Sequence, residues 1–540
     1  MSEFRTIPPK LTATEWNALL DHGLVDTVSY KIRKNGSYYE AINGNTGKID
    51  YGGANNAGGA DGTDASQVIQ YAINASAAGS KIVLKNGVYE ITSTITIEGK
   101  NSIVLEGESL NAILKQKDGT NLDQLVLILN SHNVIIRNLS VDGNRANNTK
   151  GDGIVADGQS YRGIIEKVQV WNCYTGIRID YVTVLWSVIN CHVENCYETG
   201  IAVINRETTI WSAKANIRGN KVVKTGHHGI LISGASDCIV AENHCYDIGV
   251  LRTDGFAHGI ALDGDGGARP SYNNKVIGNW IYNTRMCGTE VADQQNWVEI
   301  IGNHIDSAKA RGIYFGGGLA PSYQAVISDN ICCNGDGNGI EVNSPNSTEL
   351  SAHVIIENNI CFDNAGDGVF IGWSYCVKVV NNILFNNDKD NTGNAGIRLS
   401  ECTNTEIIGN ILYDNRDTPQ QDYGINICSD TYGIIRIFDN KIGTHQYGAI
   451  NLAGTGTRVI KRNEGFVTEN SGTATIPSGQ TSVTVPHGLV DTPTIVFIEV
   501  NHDELKNYKI TNKTSTQFTV EVPNAVTADR TFSWRAWYEP

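Results

Sequence analysis

Apolar side chains alternate with polar ones in short triplets that recur every 23 to 30 residues along most of this chain. Ile-Arg-Ile at 177–179, Ile-Tyr-Phe at 313–315 and Ile-Glu-Val at 340–342 are examples. Alternation places the first and third side chains of a triplet on one face of a strand and the middle one on the other. The repeat therefore predicts a β solenoid, built one coil at a time. A glycine precedes each triplet, at Gly153, Gly176, Gly200, Gly229, Gly259, Gly288, Gly312, Gly339, Gly368, Gly396, Gly424 and Gly448.

A second marker, Asn-x-apolar, interleaves with the glycines. Short β-branched runs such as Val298–Ile301 lie between the markers, and no helical period competes with them. Three short strands per coil predict a parallel β-helix, in which the stacked asparagine side chains would hydrogen-bond from one coil to the next. The marker asparagines are Asn220, Asn243, Asn279, Asn303, Asn330, Asn359, Asn382, Asn410 and Asn440.

Composition narrows the classes of partner. Lys and Arg number 42 against 57 Asp and Glu, a net charge of −15. An acidic chain without a run of basic residues disfavours nucleic acid and anionic membranes as partners. No apolar run is long enough for membrane insertion. The start, MSEFRTIPPK, does not read as a secretion signal, so we expect either no signal or one that has been removed.

Twelve cysteines are present, and several stand beside the asparagine turns. A small apolar side chain at that position would stack inside the solenoid, so we expect buried free thiols more than disulfides. The chain contains no CxxC pair, and Cys332-Cys333 has no partners at metal-ligand spacing. We therefore expect no structural zinc site.

Three regions are predicted. Residues 1–50 form an N-terminal attachment or capping module, with a capping box at Thr12 to Glu15 and a hairpin turning at Asn35-Gly36. Residues 51–466 form the β-helix, opened by a helix from about Ala65 to Ala75. Residues 467–540 alternate in short runs separated by turns, which predicts a small antiparallel β-sandwich.

The segment DGTDASQVIQYAINASAAGSKIVLKNGVYEI, which begins at Asp61, resembles the opening of pectate-lyase-like right-handed β-helix proteins, among them phage tailspikes. In that superfamily a D-G-x-x-D turn leads into a capping helix, and a G-x-Y-x-I strand starts the coils. The resemblance extends to about residue 465 and implies an all-β, right-handed, single-stranded parallel β-helix. The segment GTATIPSGQTSVTVPHGL near the C-terminus resembles the sequence of short domains appended to phage tail fibres.

Insertions in the repeat indicate a groove, because a solenoid accepts extra residues only at its turns. Longer intervals fall near 205–212, 246–257, 264–273, 316–323 and 343–350, on both edges of the triplet strand. Residues one before, two after and four after each glycine are expected to face outward and form the floor. Ionisable residues concentrate there: His228, His258, Asp263, Glu290, Arg311, Tyr314 and Glu341, with Asp265 and Asp293 at the edge.

The floor suggests acid–base chemistry on a glycan. Strand spacing of roughly 4.8 Å and a two-residue offset of roughly 6.6 Å place Asp263 about 8 Å from Glu290. Carboxyl groups roughly 6.5–9.5 Å apart leave room for a water in inverting glycoside hydrolysis. We therefore predict a polysaccharide hydrolase with Asp263, Glu290, Glu341, Asp293 and His258 as candidate catalytic residues. Candidate substrate-binding residues are His228, Arg311, Tyr314, Asp265, Arg178, Trp211 and Asn343.

Two alternatives remain open at this stage. A polysaccharide lyase would need a uronate substrate, a group that neutralises its carboxylate, and a base. A tailspike-like adhesin would hold a glycan in the same groove without cleaving it. The catalytic motifs of polygalacturonases, pectate lyases and alginate epimerases are absent as sets from this sequence, so the resemblance does not transfer those activities.

The resemblance also implies an extracellular location, secreted or on a virion, and a homotrimer, because tailspike relatives are commonly trimers. No cofactor is expected. Turns such as Asp142-Gly143-Asn144 and Asp263-Gly264-Asp265 offer oxygen ligands for a structural calcium ion, although such sequences are usually simple turns.

Overall fold

The computed structural model describes residues 28–181, 183–206, 213–264, 269–316, 320–344, 350–428, 431 and 433–540. Helix α1 spans Ala65–Ala75, where Asp64 caps it by accepting a hydrogen bond from the amide of Ser66 at 2.9 Å. These bounds confirm the predicted helix. The remaining regular structure is almost entirely β, and the chain divides into two compact units, residues 1–173 and 174–540. Among the described residues, no helix is long and apolar enough to cross a bilayer.

In the first unit an antiparallel hairpin pairs Val28–Asn35 with Tyr38–Asn43, and Ile49–Gly52 adds to it. Asn35 pairs with Tyr38, which confirms the predicted turn at Asn35-Gly36. The predicted capping box at Thr12 lies outside the described residues. Coil strands then alternate among three parallel sheets. The first sheet has Lys81–Leu84, Val104–Gly107, Ile135–Arg137 and Ile164–Glu166; the second has Gly87–Ile91, Ala112–Gln116, Ser140–Asp142 and Gln169–Trp171; the third has Ile95–Glu98, Gln124–Leu129 and Asp152–Asp157.

The second unit repeats the same three-sheet coil. Its first sheet contains Ser187–Ile189, Asn216–Arg218, Ile239–Ala241, Ser271–Tyr272, Lys275–Ile277, Gln295–Ile301, Tyr323–Ser328, Ser351–Glu357, Ser374–Tyr375, Lys378–Val380, Thr405–Ile408, Ile434–Phe438 and Thr457–Lys461. Its second sheet contains His192–Cys196, Lys221–Thr225, His244–Ile248, Trp280–Thr284, His304–Ala308, Ile331–Cys333, Ile360–Phe362, Ile383–Phe385, Ile411–Tyr413 and Lys441–Ile442.

The third sheet of this unit holds the glycine-led triplets. Its strands are Ile177–Asp180, Ile201–Ile204, Ile230–Ser233, Ile260–Asp263, Thr289–Ala292, Ile313–Phe315, Ile340–Val342, Val369–Gly372, Ala395–Ser400, Tyr423–Ile427 and Gly448–Leu452. Each strand pairs in parallel with the triplet strand of the next coil, as predicted from the repeat.

The core is a set of columns of apolar side chains inside the solenoid. Leu262, Val291, Phe315 and Val342 pair in register on successive coils, and each is fully buried. The glycine before each triplet leaves room for this core. A Cβ added at Gly259 would lie 2.4 Å from Cγ2 of Ile281 and 2.6 Å from the carbonyl oxygen of Gly288. No larger residue fits without a shift, which explains the periodic glycine.

The predicted asparagine ladder is confirmed. The side-chain amide of Asn303 donates to Val276 O at 3.0 Å and to Asn330 Oδ1 at 2.9 Å, and its own Oδ1 accepts from the amide of Asn279 at 2.9 Å. The same pattern runs from Asn220 to Asn463. All twelve cysteines are free thiols, and ten of them are buried. The inward stacking predicted beside the asparagine turns is therefore confirmed.

The C-terminal region forms two three-stranded antiparallel sheets. One contains Glu469–Ile476, Ile495–Val500 and Arg530–Trp537, and the other contains Ser482–Pro486, Lys509–Thr511 and Gln517–Glu521, with a 3-10 turn at Asp503–Leu505 between strands. Ile498 and Trp534 from one sheet and Val485 and Phe518 from the other contribute to a single apolar cluster. This region therefore has a core of its own.

Candidate functional site

The triplet strands of the third sheet bring Glu290, Tyr314 and Glu341 into one column. Glu290 pairs with Tyr314, and Tyr314 pairs with Glu341, on three successive coils. Asp263 pairs with Ala292, so it lies one coil before Glu290 and two residues further along the strand. Asp263 and Glu290 therefore occupy the strand positions from which their separation of about 8 Å is predicted.

Exposure along this face differs from the simple expectation that every floor residue projects into solvent. His258 is 1% exposed and Glu341 is 3% exposed, and Asp293 is also buried. The Glu290 side chain is 20% exposed, and Asp263 is half-buried. Neighbouring side chains cover much of the floor, so only part of the predicted set can meet a ligand directly in this conformation.

His258 lies between two coils and is fixed by contacts on three sides. Its Nδ1 accepts a hydrogen bond from the amide of Cys287 at 3.2 Å, while its ring stacks on that of His228 at 5.3 Å between centroids. Nδ1 therefore carries no proton, and the ring proton is on Nε2. Nε2 lies 2.9 Å from Oε2 of Glu290, although the N–H is not aligned on that oxygen as in a good hydrogen bond.

His228 shows the same orientation one coil earlier, with Nδ1 accepting from the amide of His258 at 3.4 Å. Burial, together with His258 and His227, holds the pKa of His228 well below its ordinary value. The ring is consequently neutral near pH 7. Neither histidine presents a proton-free nitrogen to the groove in this arrangement.

Glu341 is the centre of a closed polar network. Its Oε2 accepts from Arg311 Nε at 2.7 Å and from Asn338 Nδ2 at 2.8 Å, and its Oε1 accepts from Asn343 Nδ2 at 3.4 Å. The Arg311 guanidinium also lies over the ring of Tyr314, 4.7 Å from its centroid. With both oxygens engaged, Glu341 is placed to hold Arg311 rather than to exchange a proton with a ligand.

Electrostatics in this network fix the protonation of its members. Burial opposes the charge on Arg311, but the hydrogen bond and charge of Glu341 outweigh it and raise the pKa of Arg311. Burial, followed by the negative charge of Glu341, raises the pKa of Tyr314. Arg311 is therefore a permanent cation and Tyr314 a permanent phenol near neutral pH.

The segment inserted after Asn243, predicted to form one wall of the groove, has well-defined polar anchors. The Arg252 side chain bonds to Glu198 and, at 2.7 Å, to Asp254, and it covers the ring of Tyr197 at 5.0 Å. Phe256 follows on the same loop. It is 67% exposed, and its ring stacks over His258 with centroids 6.3 Å apart.

The opposite wall is described in part. Arg269 reaches back to donate to the carbonyl oxygen of Asn205 at 2.9 Å, and Asp293 Oδ1 accepts from the amide of Ala320 at 3.2 Å. Asp293 therefore contacts the backbone at Ala320, on the far side of strand Ile313–Phe315 in sequence. The predicted site residues Asp265 and Trp211 lie outside the described residues.

Arg178 lies on the same sheet as Glu290 but several coils before it. It pairs with Asp180 at 3.0 Å, and Arg206 binds the other oxygen of the same carboxylate at 3.0 Å. Arg178 is on a strand four coils before Glu290, since strands beginning at Ile201, Ile230 and Ile260 lie between them. The structure does not bring it to the central cluster.

Three residues at the position before the glycine were not selected from the sequence, although the spacing rule placed all of them on the floor. Cys287 supplies the amide that orients His258, and Asn338 donates to Glu341. Asp367 is buried and accepts from Arg398 Nε at 3.0 Å and from the amide of Ala395 at 2.6 Å. Burial raises the pKa of Asp367 to about 6 despite Arg398.

The central cluster contains one set of side chains with the atom types of a metal site. Donor atoms of His258, Cys287 and Glu290 lie within 4.8 Å of one another. The amide that donates to Nδ1 of His258 opposes metal binding, because a ligating Nε2 requires the proton to be on Nδ1. These three side chains therefore suit acid–base chemistry better than metal binding.

Comparison with protein families identifies the fold. The family model described as "Right handed beta helix region" matches residues 71–245, 176–343 and 319–466. The chain belongs to the right-handed β-helix family. A comparison with curated protein sequences finds no match.

Solved structures agree with this fold. The tailspike protein of Escherichia coli bacteriophage HK620, in complex with pentasaccharide, is 12% identical and has a TM-score of 0.52, covering 88% of this chain and 90% of its own. The tailspike protein gp49 of Pseudomonas phage LKA1 is 11% identical with a TM-score of 0.51, covering 88% and 92%. At these identities the likeness concerns the fold.

Proposed function

We propose that this protein hydrolyses a polysaccharide, with Asp263 and Glu290 as the acid–base pair. The polysaccharide would bind along the third sheet, between the strands that begin at Ile230 and Val369. The positions of these two carboxyl groups on neighbouring coils suit a water between base and sugar. One carboxyl donates a proton to the leaving glycosidic oxygen while the other takes a proton from the attacking water. Cleavage thus yields a new reducing end and consumes one water.

The orientation of His258 is the observation that carries this choice over a lyase. A lyase needs a group that removes a proton from a uronate carbon. Nε2 of His258 keeps its proton because Nδ1 accepts a hydrogen bond from the Cys287 amide, and His228 is oriented in the same way. The pKa of Tyr314 is raised, so its phenol keeps its proton as well. Among the floor residues that the structure describes, the half-buried carboxylates of Asp263 and Glu290 remain as candidate bases.

The other polar groups have supporting roles in this proposal. His258 orients the Glu290 carboxylate by facing its Oε2. Arg311 and Tyr314, fixed against each other by Glu341, offer donors to sugar hydroxyl or carboxylate groups. Phe256 is exposed above His258 and supplies an apolar ring face against which a pyranose can stack.

The glycan partner is part of the same proposal, and the pentasaccharide in the HK620 tailspike complex supports it by analogy of fold. An extracellular or virion-borne location and a homotrimer fit that analogy as well. Light scattering on the purified protein would test the subunit number independently of any activity.

A polysaccharide panel separates the three functions. Capsular, cell-wall and plant polysaccharides are incubated with the protein, and reducing ends, ultraviolet absorbance and bound glycan are measured. Hydrolysis predicts new reducing ends without absorbance from an unsaturated uronate. Reducing ends accompanied by that absorbance would identify a lyase, and retention of glycan without cleavage would identify an adhesin. Either outcome would overturn the hydrolase proposal.

A further inference from the structure

A second cluster of metal-ligand side chains lies on the outer face of the second sheet. His304 and Asp306 are two residues apart on strand His304–Ala308, so their side chains share a face. Asp306 pairs in register with Cys333 on the next coil. The donor atoms of these three residues all lie within 4.8 Å of one another.

Contacts around the cluster direct the donor atoms towards one another. Ser307 Oγ and Asn334 Nδ2 donate to Oδ1 of Asp306 at 2.8 and 3.0 Å, and the same Asn334 amide contacts Cys333 Sγ at 3.6 Å. Within the described part of the chain Oδ2 of Asp306 has no hydrogen bond. One oxygen thus holds the carboxylate in place while the other is left for a ligand.

The imidazole is positioned by an aromatic neighbour. Trp280 stacks on His304 with centroids 4.3 Å apart and planes 14° apart. Stacking uses the face of the ring and leaves both nitrogens at its edge. Among the described residues, no backbone amide donates a hydrogen bond to either ring nitrogen of His304, unlike Nδ1 of His258. The ring can therefore take the tautomer that a metal ion requires.

We propose that His304, Asp306 and Cys333 bind a divalent transition-metal ion, with zinc as the first candidate. A nitrogen, an oxygen and a sulfur ligand form a set typical of zinc, whereas calcium and magnesium take oxygen ligands. Burial and the neighbouring Asp306 raise the pKa of the Cys333 thiol, so the ion itself displaces the thiol proton to solvent on binding. One thiolate and one carboxylate then balance the charge of the ion. Water completes a tetrahedral site, because His304 and Asp306 are only half-buried.

The site would join two coils, since Cys333 belongs to strand Ile331–Cys333 and the other two ligands to the preceding coil. An ion that binds the folded chain and not the unfolded one stabilises the fold, by an amount that rises with the logarithm of the ion concentration above Kd. It lies on a different sheet from Asp263 and Glu290. The inference therefore does not depend on the proposed hydrolysis.

Cobalt is the sharpest probe, because a tetrahedral cobalt–thiolate centre shows visible d–d bands and a near-ultraviolet charge-transfer band. The full-length protein is treated with a chelator, desalted and titrated with Co²⁺. We expect both bands to saturate at one ion per chain, to vanish on adding one equivalent of Zn²⁺, and to accompany a rise in melting temperature. Absence of the charge-transfer band, including weak binding without thiolate character, would overturn the proposal.

Variants locate the site. Cys333→Ser should abolish the charge-transfer band, and His304→Ala or Asp306→Asn should weaken Zn²⁺ binding at least about tenfold, since even indirect partners of a metal site contribute that much. Cys287→Ser is the matched control, because it removes the thiol of the other cluster and should leave the band intact. The opposite pattern would assign the ion to Cys287. Circular dichroism and metal-free melting curves establish that each variant is folded. If Cys333→Ser does not fold, the His304 and Asp306 variants still test the site.

Discussion

The amide of Cys287 donates to Nδ1 of His258 at 3.2 Å, and this one hydrogen bond determines which nitrogen of the ring faces Glu290. Because Nδ1 accepts from this backbone donor, the proton of the neutral ring is on Nε2. The relationship gives His258 a positioning role and leaves proton exchange with the substrate to the carboxylates.

His258→Gln tests that positioning role. The amide of glutamine can still donate towards Glu290, although it stacks less well on His228. We expect kcat to fall about 10- to 100-fold with KM nearly unchanged and with the same acidic and basic limbs in the pH–rate profile. Loss of a pH limb would instead show that His258 exchanges the proton itself. His244→Gln, at an exposed position of the second sheet, is the control.

Glu290→Gln and Asp263→Asn should each lower kcat by about 10²- to 10⁴-fold, the range attributed to a general acid or base. Neither change alters side-chain size, so melting temperature should stay close to that of the parent. Glu242→Gln, which affects only an exposed pair with Arg218, should retain full activity. Cleavage at the parental rate by either site variant would remove that residue from the mechanism.

Arg311→Met should destabilise the fold by about 2–3 kcal/mol, because it removes a charged hydrogen bond from the buried Glu341 carboxylate while the amide of Asn338 still binds it. Chemical denaturation measures the loss. Arg218→Met breaks an ion pair whose two side chains are about half exposed and should cost no more than about 1 kcal/mol. Equal effects of the two variants would contradict the buried network described here.

Asn303→Ala should destabilise the solenoid by roughly 2–4 kcal/mol. The change removes three bonds donated by the side chain and leaves the backbone and side-chain amides of Asn279 without this acceptor, all in a buried ladder. Asn415→Ala changes an exposed side chain and should alter the free energy of unfolding by less than about 0.5 kcal/mol. A comparable small effect at Asn303 would show that the ladder is dispensable.

Asp367 should make stability depend on pH between about 4 and 6. Its pKa in the folded chain is raised to about 6, mainly by burial, with Arg398 opposing and Asp388 adding to the rise. The folded state therefore binds the proton more tightly than the unfolded one. The associated stability is fully present below about pH 4 and is lost as pH rises through 6, on the order of 2–3 kcal/mol.

Asp367→Asn removes this titration while keeping an oxygen for the Ala395 amide. The difference in unfolding free energy between the variant and the parent should therefore change across that pH interval and stay level above pH 7. Denaturation curves at closely spaced pH values measure it. A constant difference from pH 4 to 7 would mean that Asp367 titrates at its ordinary value.

The sequence alone determined the architecture of this protein, because a solenoid repeats the same local rules in every coil. The glycine before each triplet, the alternation of Ile-Glu-Val at 340–342 and the Asn303 marker each reflect contacts with the next coil, so period and side-chain direction could be derived from spacing. The same periodicity placed Glu290, Tyr314 and Glu341 in one column.

Only the tertiary structure decided what each of those side chains can do. Whether Glu341 is available depends on the amides of Asn338 and Asn343 and on the guanidinium of Arg311, and whether His258 can act as a base depends on a backbone amide from the next coil. Periodicity fixes the direction of a Cβ, whereas rotamers, covering loops and local burial fix exposure and protonation. Some of the deciding contacts join residues about 30 positions apart, such as Arg311 with Glu341, and others join near neighbours, such as Asn338 with Glu341. In both cases the rotamers that make the contact have no signature in the spacing of the repeat.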